Sequence, residues 1–257
     1  MKDVGIVGWF TGGGHGPLSS TFGMGADNVL EATVVTPLGD LVTANACQHP
    51  DLFFAIRGGG GGTYGVIIEA TVKAFPSPKV QTVHLSIAQK DPTQAKEWWN
   101  LMTYIHSELP RLKDAGVQGY YDMLAPPIYP VLAFRSFFCV YNQPNGTVEQ
   151  LFAPIVSRLN ASSNLFGFIA NTTYSPTFVI SQENATNEQV ATGGAVMGSR
   201  LLSRRSLTED VSRITDTFQR LGQTVDPAVS LFSLALQVKV NKVIGHSYAT
   251  SWQFSCQ

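Results

Sequence analysis

From Val29 the chain alternates, with Leu30, Ala32 and Val34 set against Glu31 and Thr33, the period-two pattern of a half-buried strand. The turn Pro37-Leu38-Gly39-Asp40 leads into a second short run from Leu41 to Ala44, so this stretch predicts a β-hairpin. His49-Pro50-Asp51 then opens a brief helix through Arg57, and five glycines follow. Tyr64 to Phe75 alternates again, placing Val66, Ile68, Ala70 and Val72 on one face. The predicted local order is strand, strand, helix, strand. Pro76 and Pro78 end the last strand, and a domain boundary is expected there, dividing the chain into residues 1–78 and 79–257.

Beyond the boundary three helices are well signalled. Asp91 caps the first, Pro92 occupies its first turn, Ala95, Trp98, Trp99, Met102 and Ile105 form its apolar stripe, and Pro110 is expected to stop it. Thr147 with Gln150 reads as a capping box for the second, whose stripe is Val148, Leu151, Phe152, Ile155 and Leu159. Ser206 with Glu209 reads the same way for the third, with Leu207, Val211, Ile214, Phe218 and Leu221 inward and Gly222 at the stop position. Val117 to Met123, Val131 to Val140 and Val229 to Val240 read as strands. Helices on one face of a mainly antiparallel sheet, an α+β class, is the economical arrangement. The four tryptophans and the Phe137-Phe138 pair are expected in the core.

Composition narrows the function. In 257 residues, 17 basic and 18 acidic side chains leave a net charge of −1, which argues against a dedicated nucleic-acid binder. No apolar run approaches the ~18 residues of a membrane-spanning helix. Cys47, Cys139 and Cys256 show no CxxC spacing, so no metal site is expected and at most one disulfide can form. Charged residues make up only 14% of the chain, against roughly 25% in an average soluble domain. Four N-x-S/T sequons lie at Asn145, Asn160, Asn171 and Asn184. They read either as coincidence in an Asn/Thr-rich loop region or as the glycosylated face of a secreted protein. The second reading also explains solubility with so few charges, and it requires a secretion signal upstream of Met1.

Glycine is distributed unevenly: 15 of the 24 fall within residues 1–65. Gly60-Gly61-Gly62-Thr63-Tyr64-Gly65 matches G-x-G-x-x-G, yet a helix precedes it and a strand follows, the reverse of a dinucleotide fingerprint. A phosphate-binding P-loop fails as well, because no Lys-Ser/Thr follows the glycines. The clusters Gly12-Gly13-Gly14-His15-Gly16 and Gly58 to Gly62 either serve turns and close strand contacts or bring bare backbone N–H groups to a flat, polar, multi-phosphate ligand such as FAD. His15 is open between cofactor contact and loop scaffold. No hydrolase constellation is present.

Gly12 to Ser20, Phe22-Gly23-Met24-Gly25-Ala26-Asp27-Asn28-Val29-Leu30, Asn45 to Arg57 with Pro50-Asp51-Leu52-Phe53, and Gly58 to Lys73 together resemble fungal FAD-linked oxidoreductases of the berberine bridge enzyme-like group. These belong to the vanillyl-alcohol oxidase superfamily, with its PCMH-type FAD-binding domain. The resemblance is specific over residues 4–76 and fades afterwards. It implies the second part of an FAD-binding domain followed by an antiparallel-sheet substrate domain. It implies FAD as cofactor, a small-molecule substrate, and O2 as oxidant. The implied reaction moves hydride from an alcohol, sugar or secondary-metabolite carbon to the flavin. By this resemblance Gly12, Gly13, Gly14, His15 and Gly16 lie along the ribityl and isoalloxazine side, Gly65, Val66 and Ile67 offer backbone groups toward the adenine end, and Asp27 and Asn28 are structural. The histidine and cysteine to which this family attaches flavin would fall before Met1. The closing Ser251-Trp252-Gln253-Phe254-Ser255-Cys256-Gln257 lacks the family's returning segment. The chain is therefore expected to be a fragment lacking both ends, with weak, noncovalent flavin binding. A proton-removing base is required, and Tyr120, Tyr121 and Tyr129 are candidates for it against an ordinary core or surface role; the catalytic residue is unassigned. The alternative function is a non-catalytic secreted glycoprotein that keeps the fold without a competent flavin.

Overall fold

The computed structural model describes residues 4–126, 129–183 and 202–222. It divides after Pro76 into two compact units.

In the first unit, helix α1 (Ile6–Thr11) precedes a four-residue turn of helix, α2 (Ser19–Phe22). Three strands, β1 (Val29–Val35), β2 (Leu41–Asn45) and β3 (Val66–Val72), form an antiparallel sheet in the order β2-β1-β3, and α3 (Pro50–Ile56) lies between β2 and β3 in the chain. The core is small: Phe10 from α1, Val29, Ala32 and Val34 from β1, Ala44 from β2, and Phe53 and Ile56 from α3. The glycine run enters a strand and not a helix, as the period-two pattern after it predicts. β3 nevertheless departs from simple alternation. Val66 and Ile68 are exposed, while Ile67, Ala70 and Val72 pack against the core. The pairing explains it: Thr33 faces Glu69 but Val34 faces Ile67, so Ile68 is an extra residue, and Leu30 is a second one between the pairs Val29–Val72 and Glu31–Thr71. Each bulge reverses the inward and outward positions on its strand.

The second unit is a four-stranded antiparallel sheet of β4 (Val80–Gln89), β5 (Gln118–Leu124), β6 (Ala133–Tyr141) and β7 (Phe166–Ser175), in the order β5-β6-β4-β7. α4 (Ala95–Asp114), α5 (Thr147–Ala161), α7 (Arg204–Thr208) and α8 (Val211–Gly222) contribute to one core with it, and a short α6 (Phe178–Glu183) follows β7. α4 itself has Gln94 as N-cap with no side-chain bond, whereas Asp91 caps a 3₁₀ turn, Pro92–Gln94, that leads into α4, its Oδ1 accepting from Thr93 N at 2.9 Å. Those hydrogen bonds hold its carboxyl below the usual range.

Other expectations are corrected. Pro110 lies inside α4 and does not stop it. The missing N–H costs one helical bond near the end, while Leu109 and Leu112 on either side are buried and hold the last turn to the core. Thr147 does not cap α5; its hydroxyl donates to Pro144 O, and Gly146 is the N-cap at φ 90°. Gln81 of β4 takes over the work, donating from Nε2 to the carbonyls of Gln143 and Pro144 and accepting from Val148 N. The third helix is two, with Ser203 and not Ser206 as the cap of α7. Of the aromatic residues expected in the core, Trp98, Trp99 and Phe138 are buried, but Trp9 is 37% exposed and Phe137 sits half-buried on the other side of the sheet from Phe138. The strand expected at Val229 to Val240, with Trp252, Cys256, Asn184 and the closing segment, lies outside the described residues.

Candidate functional site

The first glycine loop is built by close backbone approach. Gly12 ends α1, and Gly13 and Gly14 turn the chain at φ 101° and 74°, a region that costs an ordinary residue roughly 1–2 kcal/mol. Gly14 O then accepts from Gly25 N at 2.8 Å, and Gly13 O from Ala26 N at 3.2 Å. A Cβ on Gly14 would stand 2.5 Å from Gly25 Cα. One on Gly25 would stand 2.5 Å from the Trp9 ring, whose Nε1 donates to His15 O. Gly16 N donates to Ser19 Oγ at 2.9 Å. The His15 residue is exposed. Asp27 accepts from Met24 N, and Asn28 Nδ2 donates to the carbonyls of Phe22 and Met24. Both side chains fold the loop back on itself.

The second glycine run meets the first. Gly60 N donates to Thr11 O at 2.8 Å, and a Cβ on Gly58 would lie 3.7 Å from Gly13 Cα. Gly61 and Gly62 are exposed, and their N–H groups have no hydrogen-bond partner among the described residues. Two bare donors beside a double-glycine floor are what a polar, anionic ligand needs from backbone alone. Arg57, just before the run, is half-buried over the Phe53 ring at 4.4 Å, and its Nε donates to Phe53 O. Burial lowers its pKa and the charge of Asp27 opposes that.

Gly65, Val66 and Ile67 lie elsewhere in this unit, against β1. Gly65 has φ 145°, and a Cβ there would stand 2.6 Å from Val35 O, so close packing accounts for that glycine. Val66 pairs with Val35 and Ile67 with Val34. Among the described residues β3 is an edge strand, so alternate backbone groups along it face away from the sheet. The structure therefore joins Thr11 and Gly13 to Gly58–Gly61, while the Gly65–Ile67 stretch lies on a strand edge that is open among the described residues.

The three candidate tyrosines of the second unit separate by strand parity. Tyr121 is 1% exposed, and its hydroxyl lies 2.6 Å from His106 Nε2. His106 Nδ1 lies 2.6 Å from Met102 O. A carbonyl only accepts, so Nδ1 carries the proton and Tyr121 donates to Nε2. Burial drives the His106 pKa down to about 4 and the Tyr121 pKa well up. This is a closed core pair. Tyr129 is half-buried in the connection after β5. Only Tyr120 stands on the face away from the core, in register with Phe137, His84 and Asn171 across all four strands. The adjacent row holds Asp122, Arg135, Ser86 and Ile169, with Arg135 and Asp122 at 3.9 Å. His84, Ser86, Arg135, Ile169 and Asn171 are exposed. This open face went unnoticed in the sequence as a unit, although each strand's polar positions alternate out of the core. Cys139 is no nucleophile: burial pushes its thiol up to about 12, and it donates to Tyr141 Oη at 3.0 Å.

No family model matches the sequence. The chain is 34% identical over 212 residues to FAD-linked oxidoreductase apf9 of Gibberella fujikuroi, covering 78% of this chain and 36% of that protein. It is 36% identical over 231 residues to FAD-linked oxidoreductase patO of Aspergillus clavatus, covering 86% and 38%. It thus spans well under half the length of the curated relatives it matches. Among solved structures, the VAO-type flavoprotein MtVAO713 from Myceliophthora thermophila superposes with a TM-score of 0.71 at 29% identity, over 84% of this chain and 39% of that one. No helix among the described residues is long and apolar enough to cross a membrane. A glycine floor with bare N–H donors suits the FAD these relatives are named for, and the chain belongs to the fungal FAD-linked oxidoreductases with the fold of the VAO-type flavoproteins.

Proposed function

We propose that the first unit forms part of a flavin site and the second receives the substrate of an FAD-dependent oxidoreductase acting on an alcohol, sugar or secondary metabolite. The observation that carries this reading is the junction of Thr11 and Gly13 with Gly58–Gly61, which leaves the N–H groups of Gly61 and Gly62 exposed. Bound FAD would supply an electron-pair acceptor for a carbon-bound hydrogen, a chemistry that no side chain provides. Gly13, Gly14, Gly61 and Gly62 would hold the cofactor by backbone contact, and the β3 edge at Val66 and Ile67 would add hydrogen bonds. Substrate would lie on the open sheet face. There Phe137 and His84, with ring centroids 5.3 Å apart and planes tilted by 58°, offer ring faces, and Tyr120, Asn171 and Arg135 offer polar groups to orient hydroxyls. Tyr120 is the residue of that face that would hold or accept a proton. O2 is the expected oxidant. The expected setting is extracellular, supported by the sequons and the low charge.

The test is a fluorescence titration of FAD with the chain and with Gly14→Ala, whose Cβ would collide with the Gly25 backbone. Affinity should fall at least tenfold, about 1.4 kcal/mol, with the second unit's melting unchanged. Equal affinity of the two proteins would remove the glycine junction from the flavin site. Tyr120→Phe in the whole protein that carries this segment should lower kcat more than KM.

A further inference from the structure

The sequons sort by face. Asn145-Gly146-Thr147 and Asn160-Ala161-Ser162 stand at the two ends of α5, the helix whose Val148, Phe152, Ile155 and Leu159 fill the core beneath the sheet. Both asparagines are exposed, and neither side chain hydrogen-bonds among the described residues. At each the chain is turning: Gly146 has φ 90° with Thr147 N donating to Pro144 O, while Ser162 N closes back on Leu159 O and Ser163 N on Asn160 O. Asn171, in Asn171-Thr172-Thr173, is exposed as well but differs in its backbone. It lies within the unbroken ladder from Val80–Ser175 to Gln89–Phe166, opposite His84, and Thr173 Oγ1 pairs with Thr82 Oγ1.

We infer that Asn145 and Asn160 are N-glycosylated and Asn171 is not, so that a glycan coat borders α5 and leaves the open sheet face bare. This rests on the extracellular setting proposed above. In the transfer, the Asn Nδ2 forms a bond to C1 of the reducing-end sugar of a lipid-diphosphate-linked oligosaccharide. The C1–O bond to phosphate breaks, the lipid diphosphate leaves with the bonding pair, and the amide proton passes to a base of the transferase. The acceptor segment must leave the protein surface and bend into the transferase for this, which a turn allows and a paired strand resists. β4 precedes β7 in the chain and is already made when Asn171 emerges, so pairing competes with modification.

The test expresses the full chain behind a supplied secretion leader in a eukaryotic host, so that the sequons meet the transferase whether or not the native protein is secreted. Enzymatic release of the glycans in heavy-oxygen water marks each occupied asparagine for mass spectrometry. Marks at Asn145 and Asn160 with none at Asn171 are expected. Asn145→Gln and Asn160→Gln should each remove one glycan's mass, and Asn171→Gln should remove nothing. Bare Asn145 and Asn160, or an occupied Asn171, would overturn the inference while leaving secretion untouched. Absence of the native protein from culture fluid would overturn the extracellular setting and leave the acceptor assignment standing.

Discussion

The second unit holds its shape by filling a core, and the first by bringing backbones together. In the second, one cluster runs from Val83 and Leu85 through Trp98, Ile105, Phe134 and Phe152 to Phe218. In the first, the core is seven side chains among the described residues, and Leu41, Phe54, Val66 and Ile68 are exposed. Its specific contacts are instead Gly14 on Gly25, Gly59 on Ala55 O and Gly65 on Val35 O. Removing carbon should therefore damage the second unit, and adding it should damage the first.

The sharpest test of that contrast is Trp98→Ala, which empties a fully buried site and should cost about 4 kcal/mol, read from the urea midpoint of the second unit. A loss below about 1 kcal/mol would show that its core is loosely filled. Acid should act on the same unit through His106. Its folded pKa of about 4 lies below the ordinary histidine value of 6.5, so the unfolded chain binds the proton first. Stability is full above about pH 6.5 and falls as the pH drops toward 4, by about 3 kcal/mol. His106→Leu should flatten that slope in pH-dependent melting, and an unchanged slope would assign the acid sensitivity to another group. Gln81→Leu strips α5 of its partner from β4, taking the bonds from Gln143 O and Val148 N while Pro144 O keeps Thr147. It should cost about 2 kcal/mol, with amide exchange at Val148 accelerating before the rest of α5. Gly39→Ala marks the low end in the first unit: φ is 88°, yet a Cβ there meets nothing within 4 Å, so only the backbone term of about 1 kcal/mol should appear. A cost equal to that of Gly14→Ala would show that close approach adds nothing to the glycine requirement.

What the sequence made legible followed from strong local signals. Alternation marked the hairpin and β3, Pro50 and Asp51 marked α3, and the Asp91-Pro92 pair marked the 3₁₀ turn that leads into α4. The fold class and the FAD-linked family were readable from the order of the glycine motifs. β7 was hidden because a strand carrying Asn171, Thr172 and Thr173 reads like a loop; among the described residues its pairing comes from β4 alone. α1 was hidden because Gly5 and Gly8 interrupt a six-residue helix that Phe10 anchors to the core. The Gln81 clamp left no trace, since its partners lie more than sixty residues away. For the candidate site, the glycine clusters pointed to the region, but which glycines touch is a property of the folded loops. The separation of Tyr120 from Tyr121 needed only strand parity, which their adjacency obscured.

The extra residues Leu30 and Ile68 sit on opposite partners of the β1–β3 pair, with three intact pairs between them, Glu31–Thr71, Ala32–Ala70 and Thr33–Glu69. One offset cancels the other, so Val34 and Val35 meet Ile67 and Val66 in the same frame in which Val29 meets Val72. Length changes here should then behave as mutual suppressors. Deleting Leu30 alone or Ile68 alone leaves one strand a residue out of step and turns an inward side chain to water. Deleting both restores a regular ladder with the ends of the sheet unmoved, and divergence in this family has a route through paired losses that neither single loss could open.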